Sequence, residues 1–539
     1  MQRKILKPIA LIAVLVGVCL IVIGLTLSAS AAALHSPTSA RRGAQLTQSA
    51  DLLGSALTGA AMSTLSCREG FAGAGWQPYL NTIDLTLFGA GVYADFNAHN
   101  PPGPPQMEYV QIIRVRQLKD GNGNYLSSYV VTPTLSDAAG GLGPIVANNL
   151  KSLWLVGNEP DRGPNPNGSA SGQDDTFPEM YARIYHDVYE FIKQRDPAAQ
   201  VAVAGLVEVT PGRMQYLDKV LNAYSARYGA SMPVDVWNMH LYILPEEPGI
   251  ANWALGTDPA LAFLYSSNCS AANRYCYADH DDMTEFERQV RRMRQWMKDH
   301  GQQDKPLLLS EFSLLYDDGV TDEYSRNFTP PRAATFLTRT FNYLASATDA
   351  GIGMPSDRGR LVQQWIWFSL IHPGSNIGSI SDLVTSTAPV TFTQVGHKFR
   401  ASVLSRPVQS NLAPRLNTGP GPLMPAGQTV VTATVSVDVV NNGNLLVAVP
   451  VTVTFYSDQA LTQPISSVVV TDSLPGCARR SLSVRIDWPD RGVGSHTYWV
   501  KVDTSDAVTE SDESDNVLSG QVFVGQYGVY MPLLKRTAP

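Results

Sequence analysis

"LWLVGNEPDRG", residues 153–163, sets an apolar run, Leu153 to Val156, against an Asn-Glu-Pro-Asp cluster with no apolar residue in it. Four apolar residues without polar alternation read as a strand buried on both faces, the kind that helices cover in a parallel sheet. Gly, Asn, Pro and Asp all favour turns. Taken alone, Glu159 therefore reads as part of a strand-ending turn, and its neighbours have to decide whether it is more.

Working outward, strand and helix patterns alternate. "FPEMYARIYHDVYEFIKQRDP" places Phe177, Met180, Tyr181, Ile184, Val188 and Ile192 on one helical face and leads into "QVAVAGL". "TPGRMQYLDKVLNAYSARYG" leads into "VDVWNMHLYIL", and "PRAATFLTRTFNYLASA" into "LVQQWIWFSLI". "MTEFERQVRRMRQWMKDHG" opens with capping-box spacing, Thr284 to Glu287, carries Phe286, Val290, Met293 and Met297 on one stripe, and feeds "KPLLLSEFSLLY". "TIDLTLFGAGVYADF" and "MEYVQIIRVRQL" supply two earlier strands. Six or seven such units over residues 75–405 predict a (β/α)8 TIM barrel. An open doubly wound sheet is disfavoured, because no glycine-rich phosphate loop follows an early strand.

Residues 34–74 are Ala-, Ser- and Thr-rich and read as a lead-in, and residues 406–425 as a Pro/Gly-rich linker. From 426 to 526 the period becomes two. Val431, Ala433, Val435, Val437 and Val439 alternate with polar residues, as do Val449, Val451, Val453 and Phe455, which predicts an immunoglobulin-like β-sandwich. Residues 527–539 form a tail.

Residues 1–33 read as an export signal: Arg3, Lys4 and Lys7, an apolar stretch, then "SASAAA". The stretch is also about as long as a membrane span, roughly 20 residues, so an uncleaved anchor is the one route to a membrane. The protein is expected outside the cell, secreted or at its surface. A net charge of −7 implies no polyanion-binding surface, and nucleic acid is excluded as a partner. Outside the cytoplasm cysteines pair, and Cys269 and Cys276, close in a loop-like stretch, are expected to form a local disulfide. Cys67 and Cys477 are too distant in sequence to pair from spacing. Without a Cys-x-x-Cys and with nine scattered His, no metal site or cofactor is expected.

"PLLLSEFS" repeats the opening pattern: Glu311 stands where an apolar strand ends. The C-terminal ends of barrel strands converge on one cleft, which brings Glu159 and Glu311 face to face. Either glutamate alone reads as a salt-bridged rim residue. Both at strand exits read as a catalytic pair.

With Asn158-Glu159, "GNEPD", Glu311 and "HGQQDKPLLLSEF", the chain resembles clan A glycoside hydrolases, nearest to the β-1,3-glucanase-like families. The similarity is close over residues 150–370 and loose over 75–150. It implies a retaining hydrolase of β-linked polysaccharide, with Glu159 as acid/base and Glu311 as nucleophile. Asn158 is expected to bind a sugar hydroxyl, Tyr242 or His240 to orient Glu311, and Trp365 or Trp367 to form a sugar platform, the other being core. Trp237 reads as core. The chemistry calls for a protonated Glu159, its pKa raised by burial and a neighbouring charge, and an ionised Glu311.

The sandwich resembles CARDB-type cell-surface adhesion modules through "VVNNGN" and "VDTSDAVTESDESDN", which implies attachment to cell wall or surface glycan. The acidic stretch from Asp503 to Asp515 reads as a solvated turn, with Ca²⁺ as the alternative. The rival to an enzyme is a non-catalytic glycan-binding protein on a degenerate barrel.

Overall fold

A computed structural model of the chain describes residues 65–526 apart from 74–82, 85–86, 102–106, 165–170, 245–274, 318, 373–377, 418–420 and 479–480. Its first strands are β1 (Ser66–Ala72), β2 (Ala90–Ala94), β3 (Glu108–Lys119) and β4 (Tyr125–Thr132), the last antiparallel to the outer half of β3. There follow α1 (Leu142–Asn148), β5 (Leu153–Val156), α2 (Pro178–Arg195), β6 (Gln200–Val203), α3 (Pro211–Tyr228) and β7 (Trp237–His240). The barrel ends with α4 (Met283–Asp299), β8 (Leu307–Phe312), α5 (Pro330–Ser346), β9 (Gln364–Phe368), a hairpin of β10 (Val384–Thr387) and β11 (Val390–Phe392), and α6 (Gln394–Leu404).

Eight parallel strands run in the order β6-β5-β3-β2-β1-β9-β8-β7. A parallel bridge between Ala202 and Val236, with the Asp235 N–H donating to the Val201 carbonyl at 3.1 Å, joins the two ends. The expected barrel is present, and side-chain parity divides its core. Inward-facing Leu153, Leu155, Ala202, Leu308 and Ile366 fill the middle, while Trp154, Val156, Phe286, Trp365 and Trp367 pack between strands and helices. Each fully buried Leu or Ile contributes roughly 1.5–3 kcal/mol over an exposed one, which is why the four-residue run of β5 suffices for a strand.

The predicted helices lie where the patterns place them. Tyr181, Ile184, Val188 and Ile192 of α2 are buried, as are Phe286, Val290, Met293 and Met297 of α4. The start of α4 differs from expectation. Asp282 is the N-cap, accepting from the N–H groups of Thr284 and Glu285, so the first turn is satisfied two residues upstream of the Thr284 box.

Two boundaries also differ. β1 lies inside the stretch read as a lead-in, because "SCREGFA" has no apolar run. Its buried Arg68 is neutralised by Asp357, with two 3.0 Å bonds, and its buried Glu69 accepts from Ser66. β12 (Leu412–Leu416) lies inside the stretch read as a linker, where Pro414 argues against a central strand but is tolerated at an edge.

The sandwich continues with β13 (Leu423–Met424), β14 (Val431–Asn441), β15 (Val451–Tyr456), β16 (Pro464–Val470), β17 (Ser481–Arg491), β18 (Gly494–Lys501) and β19 (Val517–Gln526). Sheets β12-β14-β17 and β13-β19-β18-β15-β16 enclose Val435, Val437, Val453, Phe455, Val500 and Val524.

The sandwich is fastened to the barrel. A disulfide joins Cys67 of β1 to Cys477, and the Arg68 guanidinium donates to the Asn442 carbonyl at 2.6 Å. Arg358, just before β9, pairs with Asp512 and Asp515 at 3.0 Å each, and Arg415 pairs with Asp304 at 2.6 Å. The end of the acidic stretch is thus a domain seam rather than a solvated turn. Asp503 is buried and accepts from the N–H groups of Ala507 and Val508. All these attachments meet the barrel at or before the N-terminal ends of its strands.

The expected bridge between Cys269 and Cys276 falls on Cys269, outside the described residues, as does the expected export segment 1–33. Among the described residues no helix is long and apolar enough to cross a membrane.

Candidate active site

At the C-terminal end of β5 the chain turns sharply. Gly157 has φ 96° and Glu159 φ 45°, a left-handed conformation that a non-glycine residue adopts at a cost of order 1–3 kcal/mol. Fixed partners hold it there. Asp174 accepts from the Asn158 N–H at 2.7 Å and the Val115 N–H at 3.1 Å. The Glu159 N–H donates to the Gly205 carbonyl at 3.0 Å, and the Arg162 N–H returns to the Glu159 carbonyl at 3.1 Å. Asp161 pairs with Arg213 from the first turn of α3, both side chains fully buried. The turn chemistry read from the sequence is real, and it aims Glu159 into the barrel mouth.

Glu311 arrives by a different device. Along β8, Leu308 faces inward and Leu309 outward, so strict alternation would send Glu311 out to the helices. Phe312 nevertheless packs outward, against Phe286 and Trp367. The registers explain this. Met239 pairs with Leu309 but His240 with Glu311, and Leu309 pairs with Trp365 but Phe312 with Trp367, so β8 carries one extra residue between Leu309 and Phe312. This bulge resets parity and turns Glu311 inward.

The two carboxylates meet there. Glu159, His240 and Glu311 each offer one ligand-type atom, and these lie within 4.8 Å of one another; among the described residues no other His, Cys, Asp and Glu group is close enough to hold a metal ion. His240 Nδ1 is 3.1 Å from Glu159 Oε1 and 3.7 Å from Glu311 Oε2, and the Tyr242 hydroxyl donates to Glu311 Oε1 at 2.8 Å. Gly205 makes the room: a Cβ on it would lie 2.1 Å from His240 Cδ2. All five side chains of the set, Asn158, Glu159, His240, Tyr242 and Glu311, are buried.

The charges are distributed otherwise than the sequence suggests. Burial raises Glu159, but the His240 hydrogen bond and charge, with Arg162 and Arg213 behind, hold it below the usual carboxylate range. Burial pushes Glu311 up to about 7; the charge of Glu159 adds to the rise, and His240 and the Tyr242 hydroxyl oppose it. Burial lowers His240, yet the two glutamates outweigh that and raise it. The expected raised pKa belongs to Glu311, not Glu159, because His240 hydrogen-bonds Glu159.

Of the other expected site residues, Asn158 donates its side-chain amide to Gln173 at 2.7 Å beside Glu159. Trp365 and Trp367 are not platforms. Both are fully buried on the outer side of β9, Trp365 edge-on to Phe341 and Trp367 donating its indole N–H to the Ser381 carbonyl at 2.8 Å. Their shared parity is the reason. The aromatic of β9 with the opposite parity is Phe368, half-buried and packed against the cluster containing Tyr242. Trp237 is core, as expected. Sequence reading missed Asp174, Gly205 and Arg213; the only available signal was the Asp that ends Asn-Glu-Pro-Asp, which needs a cation when buried.

Comparison with known proteins adds the following. Residues 424–520 match the CARDB family model. No curated protein matches the chain. Among solved structures, the chain is similar to a CARDB domain from Pyrococcus furiosus in complex with di-metal ions, at 20% identity over 23% of this chain and 100% of that one, with a TM-score of 0.18. It is similar to a glucosidase from Croceicoccus marinus, at 12% identity over 80% and 94% of the two chains, TM-score 0.37. A Bacteroides uniformis beta-glucuronidase matches at 11% identity over 82% of this chain, TM-score 0.31, and the match spans only 42% of that protein's length. The C-terminal sandwich of this chain is a CARDB domain.

Proposed function

We propose that the barrel is a retaining glycoside hydrolase acting on β-linked glycan outside the cell, with Glu311 as nucleophile, Glu159 as acid/base, and the CARDB domain as the part that faces wall or surface glycan. One observation carries this reading: carboxylate oxygens of Glu159 and Glu311 lie within 4.8 Å of each other at the C-terminal mouth of a parallel barrel. Retaining enzymes hold their carboxyl groups about 5–5.5 Å apart, whereas inverting ones leave about 6.5–9.5 Å for a water.

The proton inventory fits the reaction. With Glu311 ionised, one proton remains between His240 and Glu159, and it passes along their 3.1 Å contact without a change in total charge. On Glu159 it is placed to protonate the leaving oxygen as Glu311 Oε2 attacks the anomeric carbon. Glu311 Oε1 stays held by the Tyr242 hydroxyl. Glu159, now ionised, then takes a proton from the water that hydrolyses the glycosyl-enzyme.

The test is Glu311→Ala on activated aryl β-glycosides. Turnover should fall by at least about 10³-fold, and azide should restore part of it by attacking from the vacated space. Wild-type-like turnover without Glu311 overturns the assignment.

A further inference from the structure

A second histidine stands at the same mouth, unused by the chemistry above. Ser369 follows β9 directly, and His372 lies three residues on. His372 Nδ1 is 2.9 Å from Asp382 Oδ1 and 2.9 Å from Ser369 Oγ, and its backbone N–H donates to Asp382 Oδ2 at 3.0 Å. The Phe368 ring stands edge-on to it, centroids 4.8 Å apart. Ser369 is fully buried, and the His372 and Asp382 side chains are only 10% and 11% exposed. So much fixation of an imidazole through one nitrogen leaves the other with a single orientation. Nε2 has no hydrogen-bond partner among the described residues.

The neighbourhood ties this ring to the reacting carboxylate. Phe368, which packs on His372, also packs against the cluster that holds Tyr242, and Tyr242 in turn holds Glu311.

We infer that His372 is a specificity-determining residue whose Nε2 hydrogen-bonds a hydroxyl of the sugar unit bound against Glu311, while Asp382 and Ser369 fix its ring. The inference rests on the glycoside hydrolase reading. A hydroxyl both donates and accepts, so it matches Nε2 in either protonation state. A substrate carboxylate here would add an anion beside Asp382, which holds the ring at 2.9 Å, and beside the nucleophile Glu311 itself, so the sugar at this position is neutral rather than a uronic acid.

The experiment compares the wild type with His372→Ala, His372→Asn and His372→Gln on aryl β-glycosides of neutral sugars and on the matching uronides. Asn keeps an amide near the Nδ1 position, where it can hold Asp382, and withdraws the Nε2 group. Gln extends its amide to the Nε2 position. A substrate contact predicts that KM rises about ten-fold in the Ala and Asn variants, the scale of one hydrogen bond, that Gln recovers most of the loss, and that the wild type prefers neutral glycosides. Unchanged KM in all three variants, rescue by Asn but not by Gln, or faster turnover of the uronides overturns the inference while leaving the hydrolase reading intact. A wild type inert on every glycoside overturns the hydrolase reading and this inference together.

Discussion

Glu159 and Glu311 differ in what surrounds them more than in what they are. His240 donates to one and stands 3.7 Å from the other, and the buried site raises Glu311 to about 7. A nucleophile works ionised, so the sign follows: kcat/KM should be low below pH 7, rise as Glu311 loses its proton, and fall again at higher pH as the proton shared by His240 and Glu159 is lost. His240→Gln removes the cation that favours both carboxylates' charged forms. Its acid limb should therefore move to higher pH, which a pH profile of kcat/KM on an aryl glycoside reads directly. An acid limb that stays in place, or moves to lower pH, contradicts this role for His240. At this scale the sequence was legible in part. Asn158, Glu159, His240, Tyr242 and Glu311 stand out as polar residues at the ends of apolar strands, and they do converge. Their proton distribution was not legible, because it depends on a 3.1 Å contact between residues 81 positions apart.

At the scale of the elements, two local irregularities build the site. The extra residue in β8 turns Glu311 inward, and Gly205 at the end of β6 opens the space that the His240 ring from β7 fills. Gly205→Ala would place a methyl 2.1 Å from the ring, against a group locked on its other side by Glu159. Overpacking of this kind costs about 1–3 kcal/mol, and here the ring must yield, because the Gly205 carbonyl is itself held by the Glu159 N–H. The variant should stay folded in a thermal melt and lose at least about ten-fold in kcat/KM. Unchanged kinetics would show that the ring position does not matter. Strand and helix identity followed from periodicity wherever burial was apolar, as in β5, α2 and α4. It failed at β1, where Arg68 and Glu69 are buried with partners as far along the chain as Asn442, and at the bulge, where strict alternation predicts the wrong face. The same parity argument, carried one residue further along β9, would have exchanged Trp365 and Trp367 for Phe368.

Across the whole molecule, the CARDB domain holds the end of the barrel opposite the proposed site. Its disulfide closes a loop between residues 410 positions apart, and Arg358 and Arg415 add ion pairs across the seam. The domain is therefore expected to act on stability rather than on chemistry. Cys477→Ser should lower the unfolding free energy by about 2–4 kcal/mol, with kcat/KM on soluble aryl glycosides close to wild type. A large loss of kcat in a folded variant would mean that the seam reaches the site. Pairing of Cys67 with Cys477 was not readable from spacing, since only the fold brings β1 against the sandwich. The seam role of Asp512 and Asp515 was hidden for the same reason.

The anomeric configuration of the first sugar released, followed by proton NMR before mutarotation, bears most directly on the proposed Glu159–Glu311 pair. Carboxylate oxygens within 4.8 Å of each other fit the spacing of retaining enzymes rather than the wider gap that admits an attacking water. A β-glycoside should therefore release the β-anomer first. First release of the α-anomer would contradict Glu311 as nucleophile.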